Sequence, residues 1–180
     1  LDCKYFNPST CEVRFNRDLP SNLFNRSFLG YLRCIDVIKS FVSLKGDLFE
    51  KMLNAIHLKY EDIFIVNAIP WRPPGNRYPT EEEIKICKPF ILSLINLLKP
   101  KIIICLGEVP TNQILDSNQS IIKIRGKWQS LKSNPTNEFD SEYNPYILPT
   151  LNISYLLNRP DMKREAWNDM KLLRDKISEI

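Results

Sequence analysis

A chain of 180 residues, 43% apolar and 26% charged, has the size and composition of one globular domain with a real core, which excludes a disordered polymer. Its formal net charge of +4 permits a polyanionic partner without demanding one. No apolar run is long enough to cross a bilayer and no signal-peptide pattern opens the chain, so a bacterial-type cytoplasmic protein is expected, or an organellar one whose presequence has been removed.

Residues 1–25 read as irregular, with a short strand candidate at Cys11–Phe15 and another at Arg26–Gly30. From Gly46 the residues Leu48, Phe49, Met52, Leu53 and Ile56 fall at helical spacing. Asp62–Ile69 reads as a buried strand. Thr80 and Glu83 form a capping box that starts a helix running to about Leu98, bent at Pro89. Lys101–Leu106 is a second buried strand, closed by Gly107, and Gln119–Ile124 and Tyr146–Leu151 read as further strands. Ser130–Asn144 is a polar surface loop. Pro160–Ile177 is an amphipathic helix with Trp167, Met170, Leu173 and Ile177 on one face. Strands alternating with helices predict an α/β domain with a largely parallel sheet, whose ligand crevice lies beyond the carboxyl ends of its strands.

Chemistry-bearing residues are few. The five cysteines Cys3, Cys11, Cys34, Cys87 and Cys105 contain no C-x-x-C pair, which points to free thiols in a reducing compartment. His57 is the only histidine and sits in a helical pattern, a poor candidate for catalysis. The loop "PWRPPGNR" is stiffened by Pro70, Pro73 and Pro74 and holds Arg72 and Arg77 beside a helix N-terminus. Two roles are open to these arginines: binding phosphate, or holding neighbouring loops through carbonyls and carboxylates.

The stretches "NAIPWRPPGNRYPTEEEIKIC", "PKIIICLG", "IRGKW" and "PTLNISYLLNRPDMKREAWNDM" together resemble the uracil-DNA glycosylases of the family-4 type, closest to the alphaproteobacterial branch. The likeness runs from about Phe41 onward and implies a single domain over residues 1–180 with a three-layer α/β/α fold around a central, largely parallel sheet. It implies a DNA-repair protein that flips uracil out of uracil-containing DNA, single- or double-stranded, and works as a monomer without a membrane. Phe41 matches the ring that stacks on the base, and Asn67 matches the amide that reads its edge. Arg72, Arg77, Arg125 and Lys127 are the expected phosphate contacts.

The catalytic motifs depart from the family pattern. Where the family resembles G-E-A-P-G, this chain has Gly30 followed by Tyr31, with Asp36 the remaining acid nearby. Where it resembles H-P-A-Y or H-P-S-Y, this chain has Asn152, Ile153, Ser154 and Tyr155. Asp36 and Asn152 are therefore the candidates left for catalysis. Asn152 donates a hydrogen bond but carries no positive charge, so weak or lost cleavage of the N-glycosidic bond is expected; an active glycosylase with altered motifs is the alternative. The family usually holds a four-iron, four-sulfur cluster on four cysteines. Cys87 is the only cysteine that matches one of them, with Trp71 at the position of another. One thiolate does not hold a cubane, so no cluster or other metal is expected. Trp71 would then fill the space, and Cys87 would pack as a small hydrophobe.

Overall fold

The computed structural model describes residues 44–69, 71, 73–131 and 143–180. Among them the order is α1 (Leu44–Asn54), α2 (Glu81–Leu98), β1 (Ile102–Leu106), α3 (Glu108–Leu115), α4 (Ile121–Ile124), β2 (Tyr146–Thr150), α5 (Ile153–Asn158) and α6 (Lys163–Glu179). Short 3₁₀ turns lie at Tyr60–Asp62, Pro74–Asn76 and Pro160–Met162. The strand candidates at Cys11–Phe15 and Arg26–Gly30 lie outside the described residues.

β1 and β2 pair in parallel, in a register that sets Ile102 against Tyr146, Ile104 against Leu148 and Leu106 against Thr150. Alternation sends neighbouring side chains to opposite faces. On one face Ile103, Cys105 and Ile147 pack against Ile91 and Ile95 of α2 and Ile114 and Leu115 of α3. On the other, Ile102, Ile104 and Leu148 pack against Met170 and Leu173 of α6. Phe49 and Leu53 of α1 meet Leu151, Ile153, Leu156 and Ala166 on that same side. Helices thus cover both faces of a parallel strand pair, the α/β layering expected from the sequence.

Two strand expectations change. Asp62 closes a 3₁₀ turn, and Ile63–Asn67 follows without joining the two-stranded ladder of the described residues. Its side chains still divide between the two sides, with Ile63 and Ile65 in the cluster of α1 and Val66 in that of α2. The expected strand at Gln119–Ile124 is instead the short helix α4. Ile121 and Ile124, three apart, both turn inward, while Ile122 is 49% exposed between them; the run has a helical period, not a strand period.

α2 begins as read. The Thr80 hydroxyl accepts from the Glu83 amide at 3.2 Å, and the Glu83 carboxylate accepts from the Thr80 amide at 2.8 Å. It ends at Lys99, which takes left-handed backbone (φ 43°) and donates its N–H to the Ile95 carbonyl at 2.8 Å. In α6 the buried residues are Ala166, Asp169, Met170 and Leu173, while Trp167 and Ile177 stay more than one-third exposed. The buried stripe is therefore rotated from the predicted one and contains a carboxylate.

Candidate functional site

The carboxyl ends of β1 and β2 run into two tight connections that touch each other. After Leu106 the chain reaches Gly107 at φ 105° and ψ −177°, a conformation that essentially only glycine adopts. The Gly107 amide donates to the Thr150 carbonyl at 2.9 Å, joining the two strand ends. The Thr111 hydroxyl donates to the Gly107 carbonyl at 2.7 Å and holds the first turn of α3. Across the gap, Asn152 caps α5. Its Oδ1 accepts from the Ser154 amide at 2.8 Å, and its Nδ2 donates to the Leu106 carbonyl at 3.3 Å. An amide nitrogen carries two hydrogens, so these bonds leave one Nδ2–H of this exposed side chain unused.

A part-buried ionic cluster adjoins the end of β2. The Arg125 guanidinium donates from Nε to Asp169 Oδ2 at 3.1 Å, from Nη2 to Asp169 Oδ1 at 2.6 Å and from Nη1 to Glu165 Oε2 at 2.8 Å. It also donates to the Glu165 carbonyl. Asp169 Oδ2 in turn accepts from the Thr150 hydroxyl at 2.6 Å. Burial pushes the Asp169 carboxyl above its ordinary range, against the opposing pull of Thr150 and Arg125. Gly126 belongs to the same arrangement, because a Cβ there would lie 2.6 Å from Asp169 Oδ1. The cluster locks α6 to the strand end that leads, two residues on, to Asn152.

Other expected site residues fall as follows. Phe41, Asp36 and Arg72 lie outside the described residues. Asn67 is half-buried, next to Ala68, whose carbonyl accepts from Gln113 Nε2 at 3.2 Å. The same nitrogen donates to the Ile84 carbonyl at 3.2 Å, so α3 ties the segment carrying Asn67 to the first turn of α2. Arg77 makes a bidentate pair with Glu83, both bonds 2.8 Å, and donates to the Tyr78 carbonyl at 2.9 Å. Of the two roles open to it from sequence, these bonds are those of loop-holding. Arg125, expected to grip phosphate, has its guanidinium enclosed by Asp169 and Glu165, with the side chain only 13% exposed. Lys127, next but one, is exposed.

Asp169, Thr150 and Gln113 do not stand out in the sequence as site residues. A signal for Asp169 is nonetheless present: Ala166, Asp169, Met170 and Leu173 follow the i, i+3, i+4, i+7 spacing of a buried helix face, and a carboxylate on that face demands a partner.

The cysteines do not form a cluster donor set among the described residues. Cys87 is buried, and burial together with the Glu83 charge raises its thiol pKa. Cys105 lies in the core on β1, its thiol pushed up to about 12 by burial. Neither environment favours a thiolate. No group of three or more metal-ligating side chains comes together among the described residues. Trp71, expected to fill the cluster space, is 40% exposed.

These features define an α/β protein in which the carboxyl ends of two parallel strands lie side by side, one closed by glycine and the other by a helix-capping amide. The family model for the uracil DNA glycosylase superfamily matches residues 21–171. A type-4 uracil-DNA glycosylase from Saccharolobus solfataricus is 32% identical over 145 residues, covering 78% of this chain and 64% of that protein. One from Thermotoga maritima is 32% identical over 136 residues, covering 74% and 66%. One from Pyrobaculum aerophilum is 35% identical over 139 residues, covering 74% and 67%. The chain belongs to the uracil-DNA glycosylase superfamily, and it spans about two thirds of the length of these relatives.

Proposed function

We propose that this chain is a uracil-DNA glycosylase-like protein of base-excision repair that takes a flipped uracil from DNA and cleaves its N-glycosidic bond slowly or not at all. The observation that carries this reading is the state of Asn152. Its oxygen is used by the Ser154 amide and one of its amide hydrogens by Leu106, so the side chain offers a single neutral N–H at the strand ends.

Breaking the N-glycosidic bond leaves positive charge on the sugar and negative charge on the departing base. A fixed donor aimed at the developing anion lowers that barrier, and a missing donor of this kind typically costs on the order of 10²–10³ in rate. A neutral amide stabilises the anion less than a cationic donor does. Asn67 is the residue proposed to read the polar edge of the base, and Phe41 the ring that stacks on it. Lys127 and Arg72 are proposed as phosphate contacts, with Arg77 keeping the proline loop in shape through Glu83. The chain is proposed to work without an iron–sulfur cluster, a reading supported by Cys87 being the only cysteine at a family ligand position.

A gel assay for abasic sites on a single-uracil oligonucleotide tests this. Expected are tighter binding of the uracil strand than of its thymine counterpart, and little or no strand scission after alkali. Multiple turnover would replace this reading with that of an active glycosylase with altered motifs. Asn152→His alone is expected to restore little, because residues acting as a unit do not add and the substitution also disturbs the α5 cap.

A further inference from the structure

Gln113 joins three segments through one atom. Its Nε2 donates to the Ala68 carbonyl and to the Ile84 carbonyl, both at 3.2 Å. Ala68 precedes the proline loop and Ile84 follows it, so one side-chain nitrogen closes the neck of that loop. The residue is 2% exposed, and its Oε1 has no hydrogen-bond partner among the described residues. Turning the amide over would set that oxygen against two carbonyl oxygens, so the nitrogen stays on this side. Burying an amide with an unpaired oxygen costs stability, and core packing alone does not explain a glutamine here. Its use lies in what the nitrogen holds.

α3 relates the two candidate site amides. Its first turn, held by the Thr111 hydroxyl on the Gly107 carbonyl, meets Asn152 at the strand ends. Gln113, two residues beyond Thr111, reaches Ala68, the neighbour of Asn67. Ile114 and Leu115 pack the same helix against Ile91, Ile95 and Cys105, which fixes it in the domain. The edge of uracil offers an acceptor beside a donor, and cytosine offers the inverse. Telling the two apart requires the reading amide to be held in one place, and its backbone sets that place first. On the reading that Asn67 takes the base edge, we propose that Gln113 is a positioning residue for base recognition. Its grip on the Ala68 carbonyl fixes Asn67 relative to Asn152 and so sets the preference for uracil over cytosine.

Fluorescence anisotropy with two single-stranded oligonucleotides, alike except for one uracil or cytosine, tests it. The unaltered chain should bind the uracil strand more tightly. Gln113→Met removes the donor at nearly the same length. It should cut the uracil-to-cytosine preference about tenfold, the worth of one hydrogen bond to a base edge, with the affinity for the cytosine strand unchanged. Gln113→Asn, one methylene short of both carbonyls, should do the same and serves if the first variant does not fold. Ile114→Val, a core change on the same helix, should lower stability and keep the preference. Equal losses on both strands would show a merely structural role and overturn the proposal, as would a Gln113→Met variant that keeps the full preference. An unaltered chain without preference would instead overturn the reading of Asn67, and the positioning role of Gln113 with it.

Discussion

Gly107 and Asn152 meet so closely that a Cβ on Gly107 would lie 3.1 Å from the Cβ of Asn152 and 3.4 Å from its Nδ2. A Cβ is fixed to the backbone and cannot swing aside. Gly107→Ala therefore has two costs, the glycine-only backbone at φ 105° and the displacement of Asn152. The first alone is worth about 1–3 kcal/mol. Denaturant unfolding should show a larger loss than Gly75→Ala, since Gly75 also has positive φ but nothing within 4 Å of its added Cβ. Uracil-oligonucleotide binding should also fall in the Gly107 variant.

Removing Asp169 should be among the most damaging single changes. Asp169→Ala leaves the largely buried Arg125 guanidinium facing only Glu165 and takes the acceptor from the Thr150 hydroxyl. Breaking one side of a buried ion pair costs about 3–5 kcal/mol. Replacing both charges, as in Arg125→Met with Asp169→Leu, should recover most of that loss in the same unfolding measurement. A double variant as unstable as Asp169→Ala would mean that the hydrogen bonds, not the unpaired charge, carry the effect.

The start of α2 should respond to acid. The Arg77 guanidinium, then the Thr80 amide, lower the Glu83 carboxyl from 4.5 to about 2. A depressed carboxylate stabilises the fold fully above its unfolded pKa. That support is lost as pH falls from about 4.5 through about 2. An NMR titration of the Glu83 side chain should give a midpoint near the lower value. Arg77→Ala should move the midpoint back towards the ordinary range and fray the first turn of α2 at higher pH.

Salt dependence of DNA binding separates the basic residues. Each phosphate that a side chain neutralises adds about 0.7–0.9 to the steepness of log K against log salt. Lys127→Ala should make the dependence shallower by about one such increment. Arg77→Ala should change it less, because its guanidinium is already shared with Glu83. Equal effects would show that the Arg77–Glu83 pair opens on DNA.

Local signals are legible in the sequence where a side chain bonds to its own neighbourhood. The Thr80–Glu83 capping box, the runs that form β1 and β2 and the amphipathic α6 all follow from spacing within a few residues. Ile121–Ile124 reads wrongly as a strand because four residues rich in β-branched isoleucine look extended until their packing reveals which ones turn inward. Arg125 looks like a surface cation because its partners Glu165 and Asp169 lie 40 and 44 residues away. Asn152 is legible as a candidate from its motif position, but its role as the cap of α5 requires the geometry.

The Arg125–Asp169 pair should also influence the order in which the chain assembles as it is made. Arg125 is synthesised 44 residues, and Thr150 19 residues, before the acid they share. Until Asp169 emerges, a guanidinium destined for the interior has to stay hydrated, which disfavours early closure of the strand ends beside Asn152. The strand ends beside Asn152 should thus be completed late, by α6. A nascent chain stalled before Asp169 should hold β1 and β2 loosely and expose these ends to proteases.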